Sequence, residues 1–240
     1  MAGWFLLIVF AGFLPDSAMK IAMVRAGARP PFPIVMHMHA ALMGTFMLLL
    51  LAQSTLMATG RRALHMQLGI VAFAFVPLLV VVGVVLAPTI YHQVWGFAQT
   101  AAPEMKTKLQ QRLLSLDNIL LIQIQVGILF PILIAIGLKA RAGNAGLHKR
   151  MMFLATAVPL PAAFDRMEWL PTTLPGSPLA CVLYVMMAVS PMFLWDVVRN
   201  RRVHEAYWIW LALYVPASVV MIVLWDTPLW HNAARAMMGV

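Results

Sequence analysis

Met66-Gln-Leu-Gly-Ile-Val-Ala-Phe-Ala-Phe-Val-Pro-Leu-Leu-Val-Val-Val-Gly-Val-Val-Leu86 decides the fold. It runs for 21 residues without a charge. At 1.5 Å per residue a helix of that length crosses a hydrocarbon layer about 30 Å thick. Moving outward with the same test, bounded by charge, Gly or Pro, brings the windows to seven: residues 4–24, 35–58, 66–86, 114–138, 151–163, 178–196 and 206–225. Asp16 and Lys20 interrupt the first window, and Pro159 and Pro161 shorten the fifth. The composition agrees, with 62% hydrophobic and 10% charged residues and a mean hydropathy of +0.86. Such a chain is neither disordered nor disulfide-rich, and its basic residues sit between apolar runs instead of forming a nucleic-acid-binding patch. The expected fold is all-α: one polytopic domain over residues 1–240, a bundle of about seven transmembrane helices.

Charge sets the expected orientation. With seven crossings, the segments at 59–65, 139–150 and 197–205 share one face, called here the basic face. It carries Arg61, Arg62, Lys139, Arg141, Lys149, Arg150, Arg199, Arg201 and Arg202 against Asp196 and Glu205, a net +7. The opposite face carries the other eight basic residues and six acids, a net +2. The positive-inside rule then makes the basic face and the N-terminus cytoplasmic, in a bacterial inner membrane. Most of the formal net charge of +9 is thereby assigned to topology and to anionic lipid headgroups. The N-terminal run lacks a basic leader and a small-x-small cleavage site, so it is read as a helix. The lone Cys181 falls inside the sixth window as a packing residue. Residues 87–113 form the only long connection, within which Pro103, Glu104 and later Lys106, Lys108 and Arg112 predict a helix that starts at Pro103 and runs into the fourth span.

A weak repeat is visible at an offset of 83 residues. Gly60-Arg-Arg-Ala-Leu-His65 matches Gly143-Asn-Ala-Gly-Leu-His148, and so aligns the second and third windows with the fourth and fifth. The matching puts His65 and His148 at equivalent depth on the basic face, where His204 opens the last helix.

Imidazole is the commonest metal ligand, and ionisable groups in lipid are costly unless paired or used. On the basic face His65, His148 and His204, with Gln53 beside them, are candidate ligands of haem b, for which two histidines on facing helices supply the axial pair. Arg61, Arg62, Lys149 and Arg150 are placed to meet haem propionates or lipid phosphate. On the opposite face His37, His39, His92, Asp117 and Asp165, with Glu168 near, are candidate ligands of zinc or iron, a free carboxylate serving as base. Residues i and i+2 diverge by roughly 200° on a helix. His37 and His39 therefore bind one ion only if Pro33 keeps that segment extended. Met36 and Met38 add a weak copper signal. Each of these histidines also has a plain reading, as a helix-edge residue in interfacial water. Two further polar sets have structural readings: Asp16 with Lys20 is a self-neutralising pair, and the stripe of Asp117 and Gln125 suits interhelical hydrogen bonding.

Phe10-Ala-Gly-Phe-Leu-Pro15, His37-Met-His-Ala-Ala-Leu-Met43, Leu51-Ala-Gln53, Gly60 to Gly69 with its Leu-His, Leu147-His-Lys-Arg-Met-Met152 with Ala155-Thr156, and Val203-His-Glu-Ala-Tyr207 together carry a resemblance. The chain resembles a family of bacterial seven-helix membrane proteins without an assigned activity. That family shows His-x-His before helix two, Leu-His-Arg before helix three and His-Lys-Arg before helix five. Met66 departs from its Arg and Glu205 from its Pro. The resemblance implies the seven-helix fold and leaves the activity open.

The first expectation is thus a membrane redox protein holding haem or another metal through His65 and His148. The second is a metal-dependent membrane enzyme acting on a lipid or other apolar substrate, and the third a transporter or accessory subunit whose histidines only shape interfaces. Expected partners are membrane lipids and other membrane subunits. Motifs of soluble hydrolases, metalloproteases and nucleotide-binding proteins are missing.

Overall fold

Lipid offers the backbone no hydrogen-bond partner, so each apolar window closes its own ladder as helix. The computed structural model describes residues 1–240 and contains no strand. The elements are α1 (Ala2–Arg25), α2 (Ile34–Ala58), α3 (Arg62–Gly69), α4 (Val71–Thr100), α5 (Pro103–Ala140), α6 (Ala145–Ala157), α7 (Pro161–Phe164), α8 (Leu179–Asn200), α9 (Glu205–Leu224) and α10 (Pro228–Met238). Six helices are long and apolar enough to cross a membrane: α1, α2, α3 running on into α4, α5, α8 and α9. The chain is therefore a multi-pass membrane protein by length and composition.

The fifth window differs from the other six. Its proline pair removes two N–H donors and breaks the helix, so α6 ends at Ala157 and the single turn α7 begins at Pro161. This broken element fills the middle of the bundle. The long helices pack in the order α1, α2, α4, α5, α9, α8, and the Trp4 indole donates across to the Ala188 carbonyl at 3.1 Å to join α1 to α8. Inside them α6 packs on α5, α8 and α9, while α7 packs on α1 and α8. Met151, Leu154, Ala155 and Ala157 are fully enclosed as a result. Gly12 permits the closest approach, because a Cβ there would overlap the Ala163 carbonyl.

The connection at 87–113 is a helical hairpin. Its second half is the predicted start at Pro103, but its first half is also helix, since α4 continues to Thr100 in spite of Pro88. Tyr91 and Ala98 recur at helical spacing and bury against Leu113 and Leu116, and that packing offsets the bond lost at Pro88.

Candidate functional site

Two turns on the basic face position the histidines. Gly60 adopts φ +74, which lets Arg61 N–H reach back to the Leu56 carbonyl at 2.8 Å and Gly60 N–H to Met57 at 3.3 Å. This left-handed closure ends α2 and lets α3 begin within two residues. At the second turn Asn144 caps α6, its Oδ1 accepting from Leu147 N–H at 3.0 Å. In both helices the histidine amide closes the first turn: His65 onto Arg61 O at 3.1 Å, His148 onto Asn144 O at 2.9 Å.

The structure brings these two rings together, with centroids 6.3 Å apart and planes at 77°. The spacing by itself also suits an edge-to-face aromatic pair. The nitrogens decide what more the pair can do. His148 Nδ1 lies 2.8 Å from the Gly137 carbonyl oxygen, which can only accept, so Nδ1 carries the hydrogen and Nε2 keeps its lone pair. His65 Nδ1 is enclosed and unbonded. An imidazole nitrogen sits roughly 2.0–2.1 Å from a bound transition metal, and two rings on opposite sides of one ion are then about 6 Å apart centre to centre. The donor set fits a haem iron or a borderline transition metal.

Gln53 lies against Gly69 of α3. A Cβ on Gly69 would touch Gln53 Nε2 at 3.5 Å, and Gly69 follows His65 by one helical turn on the same face of α3. Gln53 Oε1 is enclosed and unbonded. Arg141 reaches across to Phe73, 4.8 Å from the ring centroid.

His204 and Arg150, grouped with that pair by the sequence, are engaged elsewhere. His204 caps α9, its Nδ1 accepting from Ala206 N–H at 3.1 Å. Burial and the neighbouring Arg150 guanidinium hold this imidazole below the usual histidine value of 6.5. Arg150 makes a two-pronged bond to Asp196, Nε to Oδ2 at 2.6 Å and Nη2 to Oδ1 at 2.7 Å, and the Tyr207 hydroxyl donates to the same carboxylate at 2.6 Å. A guanidinium so committed has no fork left for a propionate, so Arg150 leaves the set of basic residues expected to meet one.

On the opposite face the expected metal ligands are dispersed. α2 begins at Ile34 with Pro33 as its extended N-cap, so His37 and His39 are both helical and diverge. The condition under which they would share an ion is not met. His37 is exposed beside the Phe32 ring, whereas His39 turns inward against Gly83 with its Nδ1 unbonded. His92 and Asp165 are exposed. Asp117 is fully buried and committed: it accepts from the Tyr91 hydroxyl at 2.8 Å and from His231 Nδ1 at 3.0 Å. No three His, Cys, Asp or Glu side chains are arranged to hold a metal ion.

Sequence reasoning missed His231. Its Nε2 also meets Asp226 at 3.1 Å, so the ring bridges two carboxylates and pins α10 to the α4–α5 hairpin. The Trp230 indole adds a bond to the Asp117 carbonyl at 2.7 Å, and Arg235 Nε stands 3.5 Å from Asp117. The signal was Thr227-Pro228, a cap followed by a first-turn proline, opening an amphipathic stretch. Searches of protein-family models, of curated proteins and of solved structures find no match to this chain.

Proposed function

We propose that this chain is a seven-crossing protein of a bacterial inner membrane, with its basic face cytoplasmic, and that it holds a redox metal centre between His65 and His148, haem b being the first candidate. The observation that supports this is the ring pair with centroids 6.3 Å apart, one ring already oriented by the Gly137 carbonyl and the other with an unbonded enclosed nitrogen. A ligating histidine commonly donates its second nitrogen to a carbonyl or carboxylate, and His148 has that arrangement before any metal is considered. Bound there, haem or a redox-active ion supplies one-electron transfer. The chain's own contribution is to fix both imidazoles on short helices after tight turns, and to offer Arg61, Arg62, Arg141 and Lys149 as nearby positive charge. The opposite face, where the histidines are scattered, gives no comparable support to a metal-dependent enzyme.

The test is colour and metal content of the purified full chain. A Soret band that shifts on reduction and is lost in His65→Ala with His148→Ala is expected. A colourless protein that carries one equivalent of iron or copper, released by the same double change, moves the assignment from haem to that metal, whereas zinc in that place overturns the redox reading. A metal-free, colourless preparation that also fails to take up added haemin or these ions overturns the reading.

A further inference from the structure

The bundle encloses two carboxylates, Asp117 and Asp196. Each accepts from a tyrosine, Tyr91 or Tyr207, so the difference between them lies in the basic partner. For Asp196 that partner is Arg150 in two-pronged contact, a guanidinium that stays protonated in proteins. For Asp117 the arginine is held off: Arg235 Nε stands 3.5 Å away and is unbonded. The near place belongs to His231, whose Nδ1 lies 3.0 Å from Oδ2 and whose ring can give its proton up. A pair built for charge alone would seat the arginine first.

The same ring reaches outward. His231 Nε2 lies 3.1 Å from Asp226 Oδ1, and side-chain exposure climbs along the row from 0% at Asp117 through 13% at His231 to 60% at Asp226. Asn118 fixes the outer end. Its Nδ2 donates to Asp226 Oδ1 at 3.2 Å, and its Oδ1 accepts from the Asp226 N–H at 3.0 Å. Tyr91 fixes the inner end, because a hydroxyl committed to Oδ1 at 2.8 Å leaves Oδ2 to the imidazole. The titratable and charged groups gathered here are therefore Tyr91 from α4, Asp117 from α5, Asp226 from the α9–α10 turn, and His231 and Arg235 from α10.

An enclosed carboxylate joined to water by a file of ionisable groups has the construction of a proton path, since imidazole takes a proton on one nitrogen as it yields one from the other. We propose that Asp226, His231 and Asp117 form a proton relay, through which Asp117 binds and returns a proton from the water on the face opposite the basic one. At rest the neutral ring donates Nδ1–H to ionised Asp117 and keeps a lone pair on Nε2. The Asp226 carboxylate takes a proton from hydronium and passes it to Nε2. The ring then donates to both carboxylates, which is the geometry at 3.0 and 3.1 Å. The Nδ1 hydrogen next moves to Asp117 Oδ2. The sum is one proton taken from water, one neutral acid at Asp117, and a neutral ring whose hydrogen has changed sides. Return uses the same atoms in reverse, and α10 stays docked because the ring never turns. The relay is independent of the ligand reading of His65 and His148.

The experiment follows the full chain in detergent by infrared difference spectroscopy after a rapid drop in pH, reading the carbonyl stretch that a protonated carboxylic acid shows and a carboxylate lacks. The parent should form an acid band that is missing in Asp117→Asn. A positioned proton carrier contributes roughly 100-fold or more to a transfer rate, so His231→Gln, with α10 still docked by limited proteolysis, should form the band slower by that factor. Free imidazole should restore the rate in His231→Ala, a response that a merely structural histidine does not give. Asp226→Asn leaves the inner bonds of α10 in place and removes the outer collector, so it too should slow the band, by roughly tenfold or more. The relay is overturned if no Asp117-dependent band appears at any pH at which the chain stays folded, or if the band forms as fast in Asp226→Asn as in the parent.

Discussion

From α5 to α9 the bundle buries Asp117, Asn118, Gln125, Arg150, Thr156, Asp196 and Ser218, and every one of them has a hydrogen-bond partner. From α1 to α4 it buries no polar residue outright, yet three enclosed atoms on α2 and α3 are unbonded. The later helices hold carboxylates that gather their donors: Asp117 collects Tyr91 and His231, and Asp196 collects Arg150 and Tyr207. Between Asp16 in α1 and Glu104 the chain has no acid, so the histidines and Gln53 of α2 to α4 have none of their own to receive them. Closed networks make a scaffold, whereas open valences beside glycines make a place for something else. Two atoms of the later helices are exceptions: the Trp210 indole nitrogen, unbonded although the ring stacks on Tyr214 at 4.7 Å, and Arg235 Nε on α10, 3.5 Å from Asp117. The structure offers no account of the indole.

The sharpest way to break this comparison is to open a closed network. Arg150→Leu leaves Asp196 enclosed and without its counter-ion, a change that costs about 3–5 kcal/mol when one partner of a buried pair is removed. The double change Arg150→Met with Asp196→Leu should recover most of that loss, because no charge is then stranded. Thermal unfolding in detergent measures both. Equal losses in the single and the double variant would show that Arg150 acts by packing alone.

Next in size is the network on the opposite face. His231→Ala takes one donor from the wholly buried Asp117 and leaves Tyr91 and the more distant Arg235 to carry it. A hydrogen bond to a charged group is worth roughly 1.5–3 kcal/mol, so a loss of about 2 kcal/mol is expected. The C-terminal helix should also become the first site of proteolysis, since the bridge to Asp226 goes with it. A variant cleaved no faster than the parent would show that Trp230 alone secures α10.

The sequence made the long helices legible because a bilayer imposes a single length and forbids charge, and both can be counted along the chain. It made the His65 and His148 pairing legible because Leu-His follows a short basic turn twice, which puts each ring at the same point of its helix. Contacts between distant segments were not legible. Arg150 and Asp196 are 46 residues apart, Asp117 and His231 are 114 apart, and nothing local marks either pair. Asp117 reads in sequence as a ligand or as part of an interhelical hydrogen-bonding stripe, and only the fold reveals that α10 returns to cover it. His37 and His39 illustrate the converse. Pro33 reads as a device for keeping the chain extended, but a proline's fixed φ equally suits the residue from which a helix departs. The fifth window, residues 151–163, reads as a span, whereas α6 starts six residues earlier, ends at Ala157 before Pro159 and Pro161, and is not among the six helices long and apolar enough to cross.

A smaller effect of opposite sign is expected in the earlier helices. Because His39 Nδ1 and Gln53 Oε1 are enclosed and unbonded, replacing either residue by Leu removes a desolvation cost. Each variant should melt higher by the equivalent of about 1 kcal/mol in protein freed of haemin and metal. A residue that stabilises the ligand-free fold when it is removed is being kept for binding. A fall in melting point for both would mean that these polar groups find partners in the lipid-bound state and belong to the scaffold after all.

The finest test concerns His204, which sits on the basic face but in a closed network. Burial and the Arg150 charge lower its pKa below 6.5, so the folded state favours the neutral ring. The stability this provides is fully present above about 6.5 and is lost as pH falls toward and through the depressed value, because the unfolded chain takes up the proton first. Geometry points the same way. Nδ1 already accepts from Ala206 N–H, so the second proton must land on the atom that caps α9, and protonation costs the cap as well as the charge. His204→Asn keeps a capping acceptor and removes the titration, so its melting temperature should vary less than the parent's between pH 7.5 and pH 5. An unchanged acid-side decline would place the responsible proton elsewhere and would return His204 to the group of histidines whose nitrogens are free to bind a ligand.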